Sequence, residues 1–209
     1  KGQKLKFFIL TSERQNSIDF SFTEPFFLNR DLSLSTDIFK TIRQFPESNY
    51  DNETDGFGVG VGYANGEYGR QSIKYTLAKR NIIAYTGASS SIVAESGKNI
   101  LSLVTLGNRI DKTNSRMDPS EGWFFSNNLG FAGIGGDKKY IKISGTLAAY
   151  DLIFNEKITF SIVGKTGYVV GLGQDVEISD RFILGDSTFV GFQNGGIGPR
   201  DKSDDSALG

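Results

Sequence analysis

The sequence predicts an all-β fold, an antiparallel transmembrane β-barrel that is present here as an incomplete, curved sheet of about nine strands followed by one long loop. Three observations predict the long antiparallel strands, and the polar face described below favours a transmembrane barrel over a soluble one. Apolar and polar side chains alternate along most of the 209 residues, the alternating segments run for about ten residues or more, and glycine (26) and phenylalanine (17) are frequent whereas proline (4) is rare. A period of two places successive side chains on opposite faces of a strand, whereas a helix repeats every ~3.6 residues.

Nine segments follow this pattern, and we expect strands near residues 3–12, 16–26, 31–42, 55–65, 67–79, 98–110, 122–135, 139–153 and 157–172. The fourth is the clearest, because every second residue from Phe57 to Tyr63 is apolar and every residue between them is glycine. In four other segments the apolar faces consist of Ile18, Phe20 and Phe22; Leu32, Leu34 and Ile38; Ile141, Ile143 and Leu147; and Ile158, Phe160, Ile162, Tyr168 and Val170. The first, fifth, sixth and seventh segments complete this coarse assignment.

The connections between the segments differ in character. Four look like tight turns, and they lie at residues 13–16, 65–67, 135–138 and 154–157. Two are longer and polar, at residues 43–54 and 110–122. Residues 80–97 break the alternation, which makes them the one place where we expect a short helix or helical turn. No shift in composition marks a domain boundary.

Alternation alone leaves open whether the apolar face meets lipid, as in a membrane barrel, or lines the core of a soluble barrel or sandwich. The opposite face favours the membrane barrel, because it carries charged residues such as Asp19, Asp37, Lys142 and Lys165 together with glycine and serine, which suit a wide, wet lumen. Aromatic residues near the strand ends fit the interfacial girdles of such barrels; they are Phe26, Phe27, Phe39, Tyr63, Trp123 and Phe124.

The composition excludes several classes of function. The chain has no histidine and no cysteine, so it lacks the usual general base, the usual metal ligand and any thiol nucleophile. The formal net charge of −1 gives no electrostatic preference for nucleic acid. Glycine-rich runs at 60–66 and 130–136 mimic nucleotide-binding loops, but they lie within or between strands. We therefore expect no enzyme activity, no cofactor, no metal site and no nucleic-acid partner, although serine–lysine pairs stay formally open.

Three stretches, residues 20–39, 108–125 and 181–201, together resemble one family, the BamA family of outer-membrane protein assembly factors. The first is residues 20–39, which contain Thr23, Glu24 and Pro25; the second is residues 108–125, with Arg116, Asp118, Pro119 and Gly122 in the family's places. The third is residues 181–201, which resemble the sixth extracellular loop of the family. The three occur in the family's order, and the resemblance extends from about the third to the eleventh barrel strand and over most of the sixth loop.

The resemblance implies that residues 1–173 are barrel strands and that residues 174–209 are an extracellular loop folded into the lumen. The loop motif comprises Arg181, Gly185, Phe189, Val190, Gly191, Phe192, Gly198, Pro199, Arg200 and Asp201. Val190 departs from the family, which has an arginine there that reaches the lumen wall. Valine cannot donate a hydrogen bond or pair with a carboxylate, so either Arg181 or Arg200 would have to take over that contact. Residues 23–25 are better explained as a strand end, stopped by Pro25, than as a binding element.

The function that the resemblance implies is the folding and insertion of other β-barrel proteins into the outer membrane of a Gram-negative bacterium, without covalent chemistry. The implied partners are unfolded outer-membrane proteins, lipoprotein subunits that contact regions outside this chain, and the lipid bilayer. Because the chain starts within a strand and ends in a polar loop, we expect it to be an internal part of a longer protein. Two alternatives stay open: a related barrel that acts as a polypeptide translocator or passive pore, and a soluble β-sandwich binding module.

Overall fold

The fold is one antiparallel sheet of nine strands, in which each strand is hydrogen-bonded to its neighbours in the sequence. The computed structural model describes residues 2–154, 157–185, 188–193, 195–200 and 207–209. The strands are β1 (Lys4–Thr11), β2 (Gln15–Glu24), β3 (Leu32–Phe45), β4 (Tyr50–Asn65), β5 (Gly69–Ala84), β6 (Gly97–Asp111), β7 (Gly122–Ala132), β8 (Tyr140–Ile153) and β9 (Ile158–Gly171). The nine predicted strands and the all-β class are therefore confirmed.

The strands are long enough to cross a membrane. β4 and β5 have 16 residues each, whereas strands in ordinary globular proteins average about five to six and a tilted strand needs only about 9–11 to cross a bilayer. Among the described residues, no helix is long and apolar enough to span a membrane.

The sheet has two chemically different faces, which we call the outer and the inner face. On the outer face, Ile38 of β3 lies opposite Phe57 of β4. On the inner face, the next pair in the register is Asp37 opposite Gly58. The antiparallel register keeps residues of like parity on one face across all nine strands.

The outer face is apolar and uncovered in the described part of the chain. Phe20 is 42% exposed, Val59 41%, Ile143 44% and Phe160 51%. In a soluble sandwich these side chains would converge in a dry core, and they do not. The soluble-sandwich alternative is therefore wrong, and the outer face has the character of a surface that meets hydrocarbon.

The inner face of β4 is lined by glycine, and this lets side chains from the two flanking strands meet over it. Asp37 on β3 and Lys74 on β5 form an ion pair of 2.8 Å across Gly58. A Cβ atom at Gly58 would lie 2.6 Å from Cε of Lys74 and 2.8 Å from Oδ2 of Asp37. The glycine therefore leaves room for a contact between strands that are not neighbours.

Two connections differ from the sequence-based expectation. The predicted long connection at 43–54 is a short turn, because β3 and β4 continue to Phe45 and Tyr50, whose rings stack with centroids 4.6 Å apart. Pro46 ends the ladder, and Asn49 closes the turn with a φ of 53°. In contrast, the connection expected as a tight turn at 135–138 extends from 133 to 139, between the ends of β7 and β8.

The predicted helical turn is present, but it is shorter than the segment 80–97 that was assigned to it. β5 continues to Ala84, and helix α1 occupies only Ser90–Ala94. Ser89 caps this helix, since its side chain accepts a hydrogen bond from the amide of Ile92 at 3.3 Å. The apolar residues of 80–84 belong to a strand whose inner face is buried, so the alternation of the strand was masked.

Two of the six aromatic residues expected in a girdle lie where such a girdle would require them. Tyr63 and Trp123 lie near strand ends and are exposed. Phe39 and Phe124 do not belong to it, because both lie on the inner face. Phe39 is opposite Gly56, and the guanidinium of Arg109 lies 4.9 Å from the centroid of the Phe124 ring. Each of the two residues is an even number of positions from inner-face polar residues of its own strand, so the alternation already places it on the inner face and outside an outward-facing girdle.

Candidate functional site

The candidate site is the place where the segment after β9 packs back onto the inner face of the sheet. A single 3-10 turn, Ile178–Asp180, lies at the centre of this contact. Ile178 is buried in an apolar cluster with Tyr50, Ile82 and Ile92. We call residues 176–182 the loop base and residues 188–193 the loop tip.

The strongest contact of the loop base is made by Asp180. Its Oδ1 lies 2.9 Å from Nη1 of Arg80 on β5, and the hydroxyl of Tyr140 on β8 donates to the same oxygen at 3.1 Å. Nζ of Lys142 donates to the backbone carbonyl of Asp180 at 2.7 Å. Arg80 also donates to Oγ of Ser179 at 3.1 Å. Asp180 and Arg80 are both buried, so the ion pair is shielded from solvent.

Two connections between strands hold the chain just before Asp180. The carboxylate of Glu95, directly after α1, accepts from the backbone amide of Ile178 at 2.5 Å and from that of Ser179 at 3.5 Å. Lys138, in the β7–β8 connection, forms an ion pair with Glu177. Burial raises the pKa of Glu95, and the hydrogen bond from Ile178 offsets part of that rise.

Just after Asp180 an aromatic ring packs on a glycine of the wall. A Cβ atom at Gly167 of β9 would lie 2.6 Å from Cζ of Phe182, so the ring occupies the space that any larger residue would need. Nζ of Lys142 lies 4.4 Å from the centroid of the same ring, within the range of a cation–π contact.

The arginines of the predicted loop motif brace the loop internally. Nε of Arg181 donates to the carbonyl of Val176 at 2.8 Å, and its Nη1 donates to the carbonyl of Leu208 at 3.1 Å. Arg200 donates to the carbonyl of Gly195 at 3.0 Å. These bonds connect parts of the segment that follows β9 with one another.

The other residues of the loop motif lie away from the loop base. Gly185 is hydrogen-bonded to Thr188, whose Oγ1 accepts from its amide at 3.0 Å. At the loop tip, the rings of Phe189 and Phe192 meet edge to face, 5.5 Å apart, and Val190 is 88% exposed. Gly191 and Gly198 have φ values of 96° and 123°, which favour glycine. Pro199 accepts from the amide of Leu208 at 2.9 Å, and Asp201 lies outside the described residues.

The strand motif lies at the opposite end of the sheet and acts locally. Thr23 pairs with Ser35 in the ladder, and Glu24 ends β2 before Pro25. The Glu24 carboxylate accepts from the amide of Phe26 at 3.0 Å and from the side chain of Gln3 at 2.9 Å.

The motif in the β6–β7 connection also shapes its own loop at that end. Arg116 reaches within 3.8 Å of the carboxylate of Asp111, and the amide of Asp118, just before Pro119, donates to Oγ of Ser115 at 3.2 Å. Gly122 has a φ of 92°, and a Cβ atom there would lie 2.1 Å from the carbonyl oxygen of Lys112. Glycine at 122 is therefore a steric requirement of the turn into β7.

Sequence reasoning missed the residues that hold the loop base, namely Arg80, Glu95, Lys138, Tyr140 and Asp180. Arg80 fell in the segment assigned as helical, although its parity relative to Ala78 and Ile82 placed it on the inner face. Asp180 directly precedes the recognised motif and carried no signal of its own. The pairing of residues 100 positions apart leaves no trace in local sequence.

Comparisons with known proteins agree on one family. The profile of the Omp85 superfamily domain matches residues 1–209. The chain is 32% identical over 142 residues to the outer membrane protein assembly factor BamA of Neorickettsia risticii, covering 67% of the chain and 19% of that protein. It is 29% identical over 216 residues to the sorting and assembly machinery component 50 homolog of Mus musculus, covering 98% of the chain and 44% of that protein.

A solved structure shows the same fold. The crystal structure of BamA from Haemophilus ducreyi lacking POTRA domains 1–3 superposes with a TM-score of 0.84 at 18% identity, over 95% of this chain and 42% of that one. The chain thus spans less than half the length of each of these relatives.

Proposed function

Because the chain belongs to the Omp85 superfamily, we propose that it is the wall and the lumen loop of an assembly factor that folds and inserts β-barrel proteins. Its nine strands are part of a multi-pass β-barrel in an outer membrane. Two of the similar proteins are named for such work, BamA as an outer membrane protein assembly factor and the component 50 homologs for sorting and assembly.

The observation that carries the proposal is the loop base on the inner face of a sheet whose outer face is apolar. A segment of the chain that packs against the inner face from within the lumen is well placed to brace the barrel wall. In this proposal β1 to β9 form the scaffold, and the loop base holds the wall from inside. A weakly paired seam elsewhere in the barrel exposes backbone groups that template an incoming strand, and no covalent step is required.

The partners follow from the same proposal. The substrates are unfolded outer-membrane proteins, which arrive with unpaired strands, and the bilayer is the medium that receives them. Lipoprotein subunits of an assembly complex would bind regions outside the described sheet. The organism would be a Gram-negative bacterium, and the protein would act without a cofactor and without catalysing a reaction.

Reconstitution of the intact protein tests the proposal. A urea-unfolded barrel substrate is diluted into liposomes with and without the protein, and its folded, protease-protected fraction is followed over time. The protein should raise the rate of substrate folding well above that of empty liposomes. An equal rate in both would contradict the proposal.

A second candidate function is that of a passive pore or polypeptide translocator, and Val190 is the observation that favours it. The family resemblance places an arginine at this position, whereas here the side chain is a solvent-exposed valine. A loop with a weaker hold on the wall would leave the lumen more open. Stable conductance of the intact protein in planar bilayers, without any gain in substrate folding, would support this alternative.

A further inference from the structure

We propose that the ion pair between Asp180 and Arg80 fixes the loop to the barrel wall in this protein, with the negative charge on the loop and the positive charge on the wall. The family resemblance implies the opposite arrangement, with an arginine at position 190 reaching the wall from the loop tip. In this structure the charged contact with the wall is made instead by an aspartate of the loop base. Any effect of the ion pair on the assembly of other proteins rests on the proposed function. The contact between loop and wall does not, because it can be tested separately.

Because the ion pair is buried, removing one of its partners is costly. The side chain of Asp180 is 4% exposed and that of Arg80 is 11% exposed, whereas the wall pair between Asp37 and Lys74 is partly open to solvent. Exposed ion pairs contribute little to stability, but removal of one partner from a buried pair leaves an uncompensated charge. Loss of either side chain while the loop base stays in place would leave the other charge uncompensated in just this way.

The surrounding contacts fix the direction in which the loop enters. Glu95 holds the amides before Asp180, Lys138 pairs with Glu177, and Lys142 binds the carbonyl of Asp180. These groups come from the α1–β6 connection, the β7–β8 connection and β8, so three parts of the wall converge on one short turn. Asp180 is the only acidic residue of that turn, Ile178–Asp180, and it sits at their centre.

Among the described residues of the loop tip, no side chain forms an ion pair with the wall. Val190 has no polar side-chain atom and is almost fully exposed. Arg181, a cation of the loop motif, donates to carbonyls of the segment after β9 itself. The wall contacts therefore concentrate in residues 177–182.

A single cysteine at Ile178 reports the state of the loop base. The chain contains no cysteine, and Ile178 is buried against Tyr50, Ile82 and Ile92, so Ile178→Cys should react slowly with a maleimide in the intact, membrane-embedded protein. In this background Arg80→Met and Asp180→Asn each remove the charge of one partner with little change in volume. Oδ2 of Asp180 has no hydrogen-bond partner among the described residues, so the amide group of asparagine costs no existing bond there.

Each substitution should raise the labelling rate of Ile178→Cys roughly a hundredfold, because the remaining charge is then buried alone. The double variant should label no faster than the faster single variant, since the two residues act through one contact. The heat-dependent shift in gel mobility that marks a folded barrel is recorded for every variant, so that loop release is distinguished from failure to fold.

Two matched variants control the measurement. Lys74→Met removes a cation from the inner face of the same strand, and Val190→Ala changes the loop tip; both should leave the labelling rate unchanged. An unchanged rate in Arg80→Met, or an equal increase in Lys74→Met, would overturn the proposal. Faster labelling in Arg80→Met supports the attachment whether or not the protein accelerates substrate folding in liposomes. A failure to accelerate folding would count against the proposed function alone.

Discussion

Replacement of Gly167 by alanine should weaken the contact between the loop base and β9, and the geometry sets the size of the effect. A Cβ atom there would lie between 2.6 and 2.8 Å from three atoms of the Phe182 ring, whereas carbon atoms in ordinary contact are ~3.5–4.0 Å apart. The ring must therefore move by about 1 Å, which also disturbs its contact with Lys142. Overpacking of this kind costs about 1–3 kcal/mol, or a roughly 5- to 150-fold lower ratio of folded to unfolded protein.

The assay is the free energy of unfolding of the intact protein, measured by urea titration in lipid vesicles. Gly164→Ala is the matched control, because it lies on the same strand and its new Cβ atom would have no closer neighbour than the carbonyl oxygen of Leu147 at 4.0 Å. Its effect should stay within about 0.5 kcal/mol. Adding Phe182→Leu to Gly167→Ala removes the colliding ring atoms and should recover part of the loss. Equal costs for Gly164→Ala and Gly167→Ala, or no recovery in the double variant, would refute the reasoning.

Three further predictions address the loop base, the β6–β7 turn and the open sheet. Because burial raises the pKa of Glu95 above 4.5, the stability linked to its protonation is fully present below pH 4.5 and is lost as pH rises through the raised value; Glu95→Gln should remove this component from urea titrations at several pH values. Gly122→Ala should destabilise the protein by about 1–3 kcal/mol, and clearly more than Gly135→Ala, which shares a positive φ but meets no atom within 4 Å. The 209-residue chain expressed alone should aggregate without detergent, since the outer edges of β1 and β9 are unpaired in the described sheet; a soluble, monodisperse 22.9 kDa species on a sizing column would contradict this.

The sequence was sufficient for the sheet because its signal is local. Alternation from Phe57 to Tyr63, with glycine between, reports one strand and one face without reference to any other part of the chain. The same holds for Ile141 and Ile143 on β8. Errors arose where a local signal was ambiguous, as at residues 43–54, where polar residues around Pro46 resembled a loop but belong to two strands joined by a short turn.

The attachment of the loop could not be predicted in the same way. Arg80 and Asp180 are each unremarkable in their own surroundings, and their pairing depends on how the chain after β9 folds back over β5 and β8. The family resemblance directed attention to the loop tip, around Val190, whereas the described contacts lie before it. Val190 by itself gives no indication of which residues hold the loop; Asp180 and Arg80 are brought together only by the folded chain.

The ion pair over Gly58 bears on the shape of the wall. Backbone hydrogen bonds join only adjacent strands, so they leave the bend between one strand and the next-but-one comparatively soft. Asp37 and Lys74 join strands on either side of β4, and their attraction favours a tighter arc at that place. The local radius of the barrel would then respond to ionic strength, because dissolved salt screens two charges that face a wet interior.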